Sequence, residues 1–257
     1  MMNNPFLHML SRPDLPGPFP VGTWLMSSSP LVAEALGCAG FDWAVVDMEH
    51  SPVDVGDLVH LLQAISGTAM LPITRVPWND PVVVKRVLDA GARTLMFPFI
   101  QNALEARQAV SASKYPPEGS RGMAAMSRGS RFGTTKDYFK IANQSVSVIL
   151  QVETVKSMSV IEEIAETEGV DSIFIGPGDL SGDMGHIGNT MHPEVMELMS
   201  QGVQACHRSG KSVGTVGGSP EAVAAYRKAG FDYIACGSDL GLLMKQCASH
   251  LSALREK

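Results

Sequence analysis

Residues 39–50 read AGFDWAVVDMEH, and the first ten of them decide the fold. Ala39 and Gly40 end a helix-periodic segment, and a β-branched apolar run follows at once, so a helix closes on glycine and feeds a strand. The same hinge recurs as AGART at 90–94 and AGFDY at 229–233. Working outward, short apolar runs fall at 21–25, 43–48, 71–76, 94–99, 147–153, 172–177, 212–217 and 233–238. Their length and their flanking Gly and Pro predict eight strands. Helix-periodic segments lie between most of them, several with Pro at the first position after Ser or Asp and Gly at the end. Strict β–α alternation with short links demands a parallel sheet. Eight such units in 257 residues predict one closed (β/α)8 TIM barrel spanning 1–257, close to the usual barrel size of about 250 residues.

Composition narrows the function. Hydrophobic residues make up 45% and charged residues 18%, ordinary for a globular enzyme. A net charge of −6 gives no footprint for nucleic acid or an anionic membrane. No apolar run approaches the ~20 residues of a membrane span. Residues 1–20 carry no charged leader before an apolar stretch and read as an irregular, Pro-rich arm, so a cytoplasmic location is expected. The four cysteines, Cys38, Cys206, Cys236 and Cys247, lack metal spacing and are expected as reduced thiols in the core. Residues 115–143 form a long connection rich in Gly, Ser and Arg, of the kind that serves as a lid or subunit contact. Residues 239–257 are expected to be a C-terminal helix.

Barrel active sites form where strand C-termini converge. The second strand ends in Asp47, Glu49 and His50, the third in Arg75, the fifth in Gln151 and Glu153, and the sixth runs into Asp179. Glu153 and Asp179, without a Cys or His cluster, suit a hard divalent cation such as magnesium or manganese. Arg75 must meet an anion or an internal partner, Asp47 or Glu49. His50 stands beside carboxylates, as a general base needs. The other histidines, His186 and His192 included, fit packing or solvent roles better. Asp89, on a helix, reads by itself as a solvated residue.

These residues lie in the motifs GFDWAVVDMEHSP, RVPWNDPVVVKRVLDAG, KYPPEGSRG, ILQVET, EGVDSIFIGPGDLSGDMGHIGN and GSDLGLL, from about Gly22 to Leu243. Through them the chain closely resembles the metal-dependent class II pyruvate aldolases, the 4-hydroxy-2-oxoheptanedioate and 2-dehydro-3-deoxyglucarate aldolase type. The resemblance implies a barrel of the phosphoenolpyruvate/pyruvate-binding type whose C-terminal helix is exchanged between subunits of a homohexamer, a trimer of dimers. It implies Glu153 and Asp179 as ligands of Mg2+, Mn2+ or Co2+, His50 as base, and Arg75 as the group that stabilises the enolate. Gln151, Gly178, Arg75 and Asp179 match substrate-binding positions, Asp47 an acid beside the site, and Asp89 an acid that raises the basicity of the histidine. The implied reaction splits a 4-hydroxy-2-oxo acid into pyruvate and an aldehyde, in the breakdown of aromatic compounds or sugar acids. Met48, where the two named aldolases look more like having Gly, departs from the pattern and is the residue expected to report on substrate choice. No strand-end lysine is available for a Schiff base, since Lys85, Lys156 and Lys211 fall on helices or loops. The Gly-rich GTVGGS and ACGSDLG stretches leave open a sugar-phosphate isomerase or lyase, a CoA-thioester lyase, or a barrel that only binds 2-oxo acids.

Overall fold

In a computed structural model describing residues 4–11 and 19–255, the three AG hinges share one backbone conformation. Gly40, Gly91 and Gly230 have φ of 99°, 104° and 99°, the left-handed region that a side chain rarely enters. Each ends a helix and turns the chain into the next strand. Along the chain run helix α1 (Pro5–Leu10), strand β1 (Val21–Leu25), α2 (Pro30–Cys38), β2 (Trp43–Asp47), α3 (Val55–Ile65), β3 (Leu71–Arg75), α4 (Pro81–Asp89) and β4 (Thr94–Phe97). Then come α5 (Ala103–Ser113), α6 (Tyr138–Ile141), β5 (Ser147–Val152), α7 (Val155–Met158), α8 (Ile161–Glu166) and β6 (Ser172–Ile175). The chain finishes with α9 (Pro177–Asp183), α10 (Pro193–Arg208), β7 (Ser212–Gly217), α11 (Pro220–Lys228), β8 (Tyr233–Ser238) and α12 (Asp239–Arg255). The eight strands pair in sequence order, all parallel, and β8 closes on β1, so the expected (β/α)8 barrel is the observed fold.

Helix starts follow the sequence cues. Ser29, Asp80 and Ser219 each accept first-turn amides ahead of a proline, which supplies a helical φ and no orphan N–H. Alternate strand residues point inward or outward. The inward set, including Trp24, Trp43, Ile73, Phe174 and Tyr233, fills the barrel, and the outward set packs under the helices.

Part of the N-terminal arm is a correction, over residues 4–11; residues 1–3 and 12–18 of it lie outside the described residues. Asn4 caps α1 through the amides of Phe6 and Leu7, and Phe6, 1% exposed, enters the bottom of the barrel with its ring 5.2 Å from Tyr233. Asn4 also donates to Thr94 Oγ1 and to the carbonyls of Arg93 and Ser145, tying the helix to the barrel floor. Six residues are too few to show a helical period, which is why the segment reads as irregular. The cysteines are a second correction. None is disulfide-bonded, but only Cys206 is buried, and Cys38 and Cys247 are exposed.

The 115–143 connection is anchored rather than loose. Arg121 is buried, its guanidinium 4.3 Å over the Tyr115 ring, and Tyr115, Tyr138 and Ala142 make a small core of their own. By contrast α12 leaves the barrel after Asp239 and stands almost wholly in solvent. Leu243, Met244 and Leu254 on it are 58%, 66% and 75% exposed. Among the described residues no helix is long and apolar enough to cross a membrane.

Candidate active site

Asp47 and Arg75 are register partners at the ends of β2 and β3, so their side chains meet at the mouth. Arg75 Nε donates to Asp47 Oδ1 at 3.0 Å and Nη2 to Oδ2 at 2.7 Å, a bidentate pair that fixes the plane of the guanidinium. Asp47 Oδ1 also accepts the amides of Glu49 at 3.0 Å and His50 at 3.2 Å, shaping the turn that carries the imidazole. Ser51 Oγ donates to the Asp47 carbonyl in the same turn. Glu49 Oε2 lies 3.0 Å from Arg75 Nη1, and the Trp24 ring lies 5.5 Å from the guanidinium carbon. Burial of Arg75 disfavours its charge, but the bond to Asp47 and the charges of Asp47, Glu49 and Glu153 together outweigh this and hold it above its ordinary pKa. Burial pushes the Glu49 carboxyl up to about 6 against the opposing pull of Arg75, with Asp47 and Asp179 adding repulsion.

Glu153 follows β5 and is 2% exposed. Its Oε1 accepts the Phe99 amide at 2.9 Å and its Oε2 accepts Gln151 Nε2. Phe99 takes the left-handed conformation at φ 56°, unusual for an aromatic residue, and so presents its amide to the carboxylate. Burial pushes Glu153 up to about 7, with the charges of Asp179 and Glu49 contributing. The space for this carboxylate depends on Gly176, where a Cβ would stand 2.3 Å from Glu153 Oε2. Gly178 and Asp179 lie exposed in the first turn of α9, whose early amides lack intrahelical acceptors.

Asp47, His50, Arg75, Gln151, Glu153, Gly178 and Asp179 line one cavity of about 310 Å³ at the C-terminal end of the barrel. His50 stands at the rim, its side chain 62% exposed and its Nε2 3.8 Å from Glu49 Oε1, beyond hydrogen-bond reach. One stretch of the wall is apolar, made by Trp24, Met26, Phe174 and Val216. The C-terminal ends of β7 and β8 add Val216, Gly237 and Ser238 rather than a cation.

Two expected residues lie elsewhere. Asp89 ends α4, on the face away from the mouth, and its carboxylate takes Arg121 Nη2 at 2.8 Å. Met48 does not line the cavity. It is 8% exposed and packs between barrel and helices, because the alternation that turns Asp47 inward turns its neighbour outward. His186 and His192 also miss the mouth lining; their rings stack at 3.5 Å, and His186 Nε2 lies 2.9 Å from Glu194 Oε2. With ring planes only 15° from parallel, no single ion lies in both planes. The sequence reading missed Gly176, the Phe99 amide and the apolar wall. A glycine following an apolar strand end was the one available cue for Gly176, and the wall residues look like ordinary core.

Glu153, Asp179 and the buried Gln151 Oε1, which has no partner among the described residues, form an oxygen-only donor set where several acids repel one another. That set fits a hard divalent cation better than a thiophilic metal.

The HpcH/HpaI aldolase/citrate lyase family profile matches residues 21–246. A 2-dehydro-3,6-dideoxy-6-sulfogluconate aldolase of Pseudomonas putida is 52% identical over 236 residues, 92% of each chain. A 5-keto-4-deoxy-D-glucarate aldolase of Klebsiella pneumoniae is 40% identical over 222 residues, 86% of this chain and 87% of that one. The crystal structure of an HpcH/HpaI aldolase/citrate lyase family protein from Burkholderia cenocepacia superposes with a TM-score of 0.93 at 40% identity, covering 99% of this chain and 100% of that one.

Proposed function

Because this chain belongs to the HpcH/HpaI aldolase/citrate lyase family and is a carbon–carbon lyase of it, we propose that it reversibly cleaves a 4-hydroxy-2-oxo acid to pyruvate and an aldehyde, with a divalent metal. The carrying observation is the buried Glu153 beside Asp179, one cavity wall away from an arginine clamped by Asp47. Of the two routes weighed from sequence, the names of the relatives favour sugar-acid over aromatic breakdown, so the substrate we assign is a deoxy-2-oxo sugar acid.

Glu153 and Asp179 would hold the ion, Mg2+, Mn2+ or Co2+, with Gln151 Oε1 turned toward it or toward substrate. Bound there, a divalent ion supplies a Lewis acid that draws charge toward the 2-oxo group. Of the five guanidinium N–H groups of Arg75, two are bonded to Asp47 and one faces Glu49, which leaves two for the 2-oxo oxygen. They meet the charge that gathers on that oxygen as the C3–C4 bond breaks. The first-turn amides of Gly178 and Asp179 receive the substrate carboxylate. His50 takes the 4-hydroxyl proton as the aldehyde forms, and C3 regains a proton to complete pyruvate. Glu49 faces His50 across 3.8 Å.

Asp89 cannot serve its own chain's histidine while it holds Arg121 behind the barrel, so its assigned role requires a second subunit. The exposed apolar side chains of α12 support such an assembly, which we take to be a homohexamer. The test is pyruvate release from a 4-hydroxy-2-oxo sugar acid, before and after EDTA. Turnover should vanish with chelation and return with Mg2+, Mn2+ or Co2+. Undiminished turnover in EDTA would sink the metal-assisted reading, and no pyruvate from any such acid would sink the reaction itself.

A further inference from the structure

The larger of the two barrel-end cavities, about 500 Å³, lies at the end away from the acids. It opens between α1, the starts of β3 and β4, and the segment 128–132. Three arginines line it, Arg93, Arg128 and Arg131, and no acidic side chain does so among the described residues. Arg93 lies just before β4 and is half-buried, while Arg131 reaches from an exposed turn. Arg128 lies over Gly91 and gives Nη1 to the Ala90 carbonyl at 3.0 Å. That is the one hydrogen bond these three guanidinium groups make among the described residues.

Like charges gathered this way oppose one another. Burial lowers the Arg93 pKa, and the nearby charges of Arg131 and Arg128 lower it further. In a chain of net charge −6 the cluster does not follow from a general excess of base. The turn that delivers it is built rather than slack. Arg131 and Phe132 both take the left-handed conformation, φ 51° and 56°, and their amides donate hydrogen bonds to the carbonyls of Arg128 at 2.9 Å and Ser127 at 2.8 Å. Phe6, Leu62, Ile65, Met70 and Phe132 supply the apolar part of the lining.

Guanidinium groups recognise phosphate and carboxylate oxygens in bidentate fashion, and several converging cations favour a multiply charged group. We infer that the floor of the barrel carries a second ligand site, for a small organic polyanion (phosphate or polycarboxylate) with an apolar portion. The anion lies among Arg93, Arg128 and Arg131, and the apolar portion lies against Phe132, 65% exposed.

Calorimetric titration of the metal-free full chain with pyrophosphate and, separately, with tricarballylate tests this and separates phosphate from carboxylate. Saturable binding of either is expected, and Arg93→Gln and Arg131→Gln should each weaken it about tenfold or more. Arg131 is exposed, so its variant keeps the test open if Arg93→Gln does not fold. Arg75→Gln, at the other end of the barrel, should leave the affinity unchanged. Absence of saturable binding overturns the inference, as does binding lost in Arg75→Gln but kept in the floor variants. A change in assembly mass on Arg131→Gln also overturns it, because the arginines would then serve contacts between copies.

Discussion

The two ends of this barrel are opposite in charge and in construction. At the mouth, Asp47, Glu49, Glu153 and Asp179 surround one arginine, and that arginine is committed to Asp47 by two hydrogen bonds. At the floor, three arginines meet no acid among the described residues, and Phe6 of a short helix seals the interior. The mouth leaves the barrel interior open among repelling acids, while at the floor packing closes that interior and the arginines gather around the cavity below it. Topology explains the split. Parallel strands aim all their C-terminal side chains at one face, so polar residues can be concentrated there while the barrel interior below stays apolar.

Removing Arg75 should break the comparison most severely. Arg75→Ala is expected to cost about a thousandfold in kcat, the scale for loss of a donor to a developing oxyanion. It should also destabilise the fold by about 3–5 kcal/mol, because Asp47, 0% exposed, would keep a buried charge without its partner. Adding Asp47→Asn should recover part of that stability and none of the turnover. Thermal melts and pyruvate release on the two variants separate the effects. A single variant as stable as the parent would show that the clamp is not structural.

At the floor, Phe6→Ala should have the reverse profile. Loss of a fully buried ring against Tyr233 is expected to cost about 3–5 kcal/mol with kcat for pyruvate release retained. A drop in kcat larger than the loss of folded protein would mean that the two ends are coupled.

The Glu153 carboxyl allows a finer test. Its pKa in the fold, about 7, exceeds the ordinary 4.5, so the folded protein binds more protons than the unfolded chain between those values. Stability therefore falls as pH rises from about 4.5 to 7 and stays reduced above. Glu153→Gln removes this penalty, which is at most about 3 kcal/mol. The free Oε1 of Gln151 can accept the new amide by a flip of that side chain. In EDTA, the variant should melt above the parent at pH 8 and close to it at pH 5, while losing activity in metal. Equal melting temperatures at both pH values would remove burial strain from the account of this site.

Much of this contrast was legible in the sequence. Polar residues ending apolar runs stand out, so Asp47, Arg75, Gln151 and Glu153 announced themselves, and the AG hinges announced the barrel. What stayed hidden was set by contacts distant in sequence. Trp24, Phe174 and Val216 form the apolar wall of the mouth, yet in a one-dimensional pattern they are indistinguishable from core. Asp89 finds Arg121 across 32 residues, and no local spacing shows that this pair faces away from His50. The floor arginines come from two segments that only the closed barrel unites.

Met48 gives the smallest and most specific prediction. Its difference from the Gly of the resembling aldolases invites a role in choosing the aldehyde, yet its side chain lies in the layer between barrel and helices. A volume-conserving Met48→Leu change should cost less than about 1.5 kcal/mol and leave the ratio of kcat/KM between two aldehydes unchanged in the condensation direction. Val216→Ala, in the apolar wall, should change that ratio instead, because lost methyl groups in a binding wall are worth about 1 kcal/mol or more to a substrate that touches them. If the two variants exchange these outcomes, selectivity is set through the backbone of the Asp47 turn, and the division between an inward Asp47 and an outward Met48 does not separate chemistry from packing.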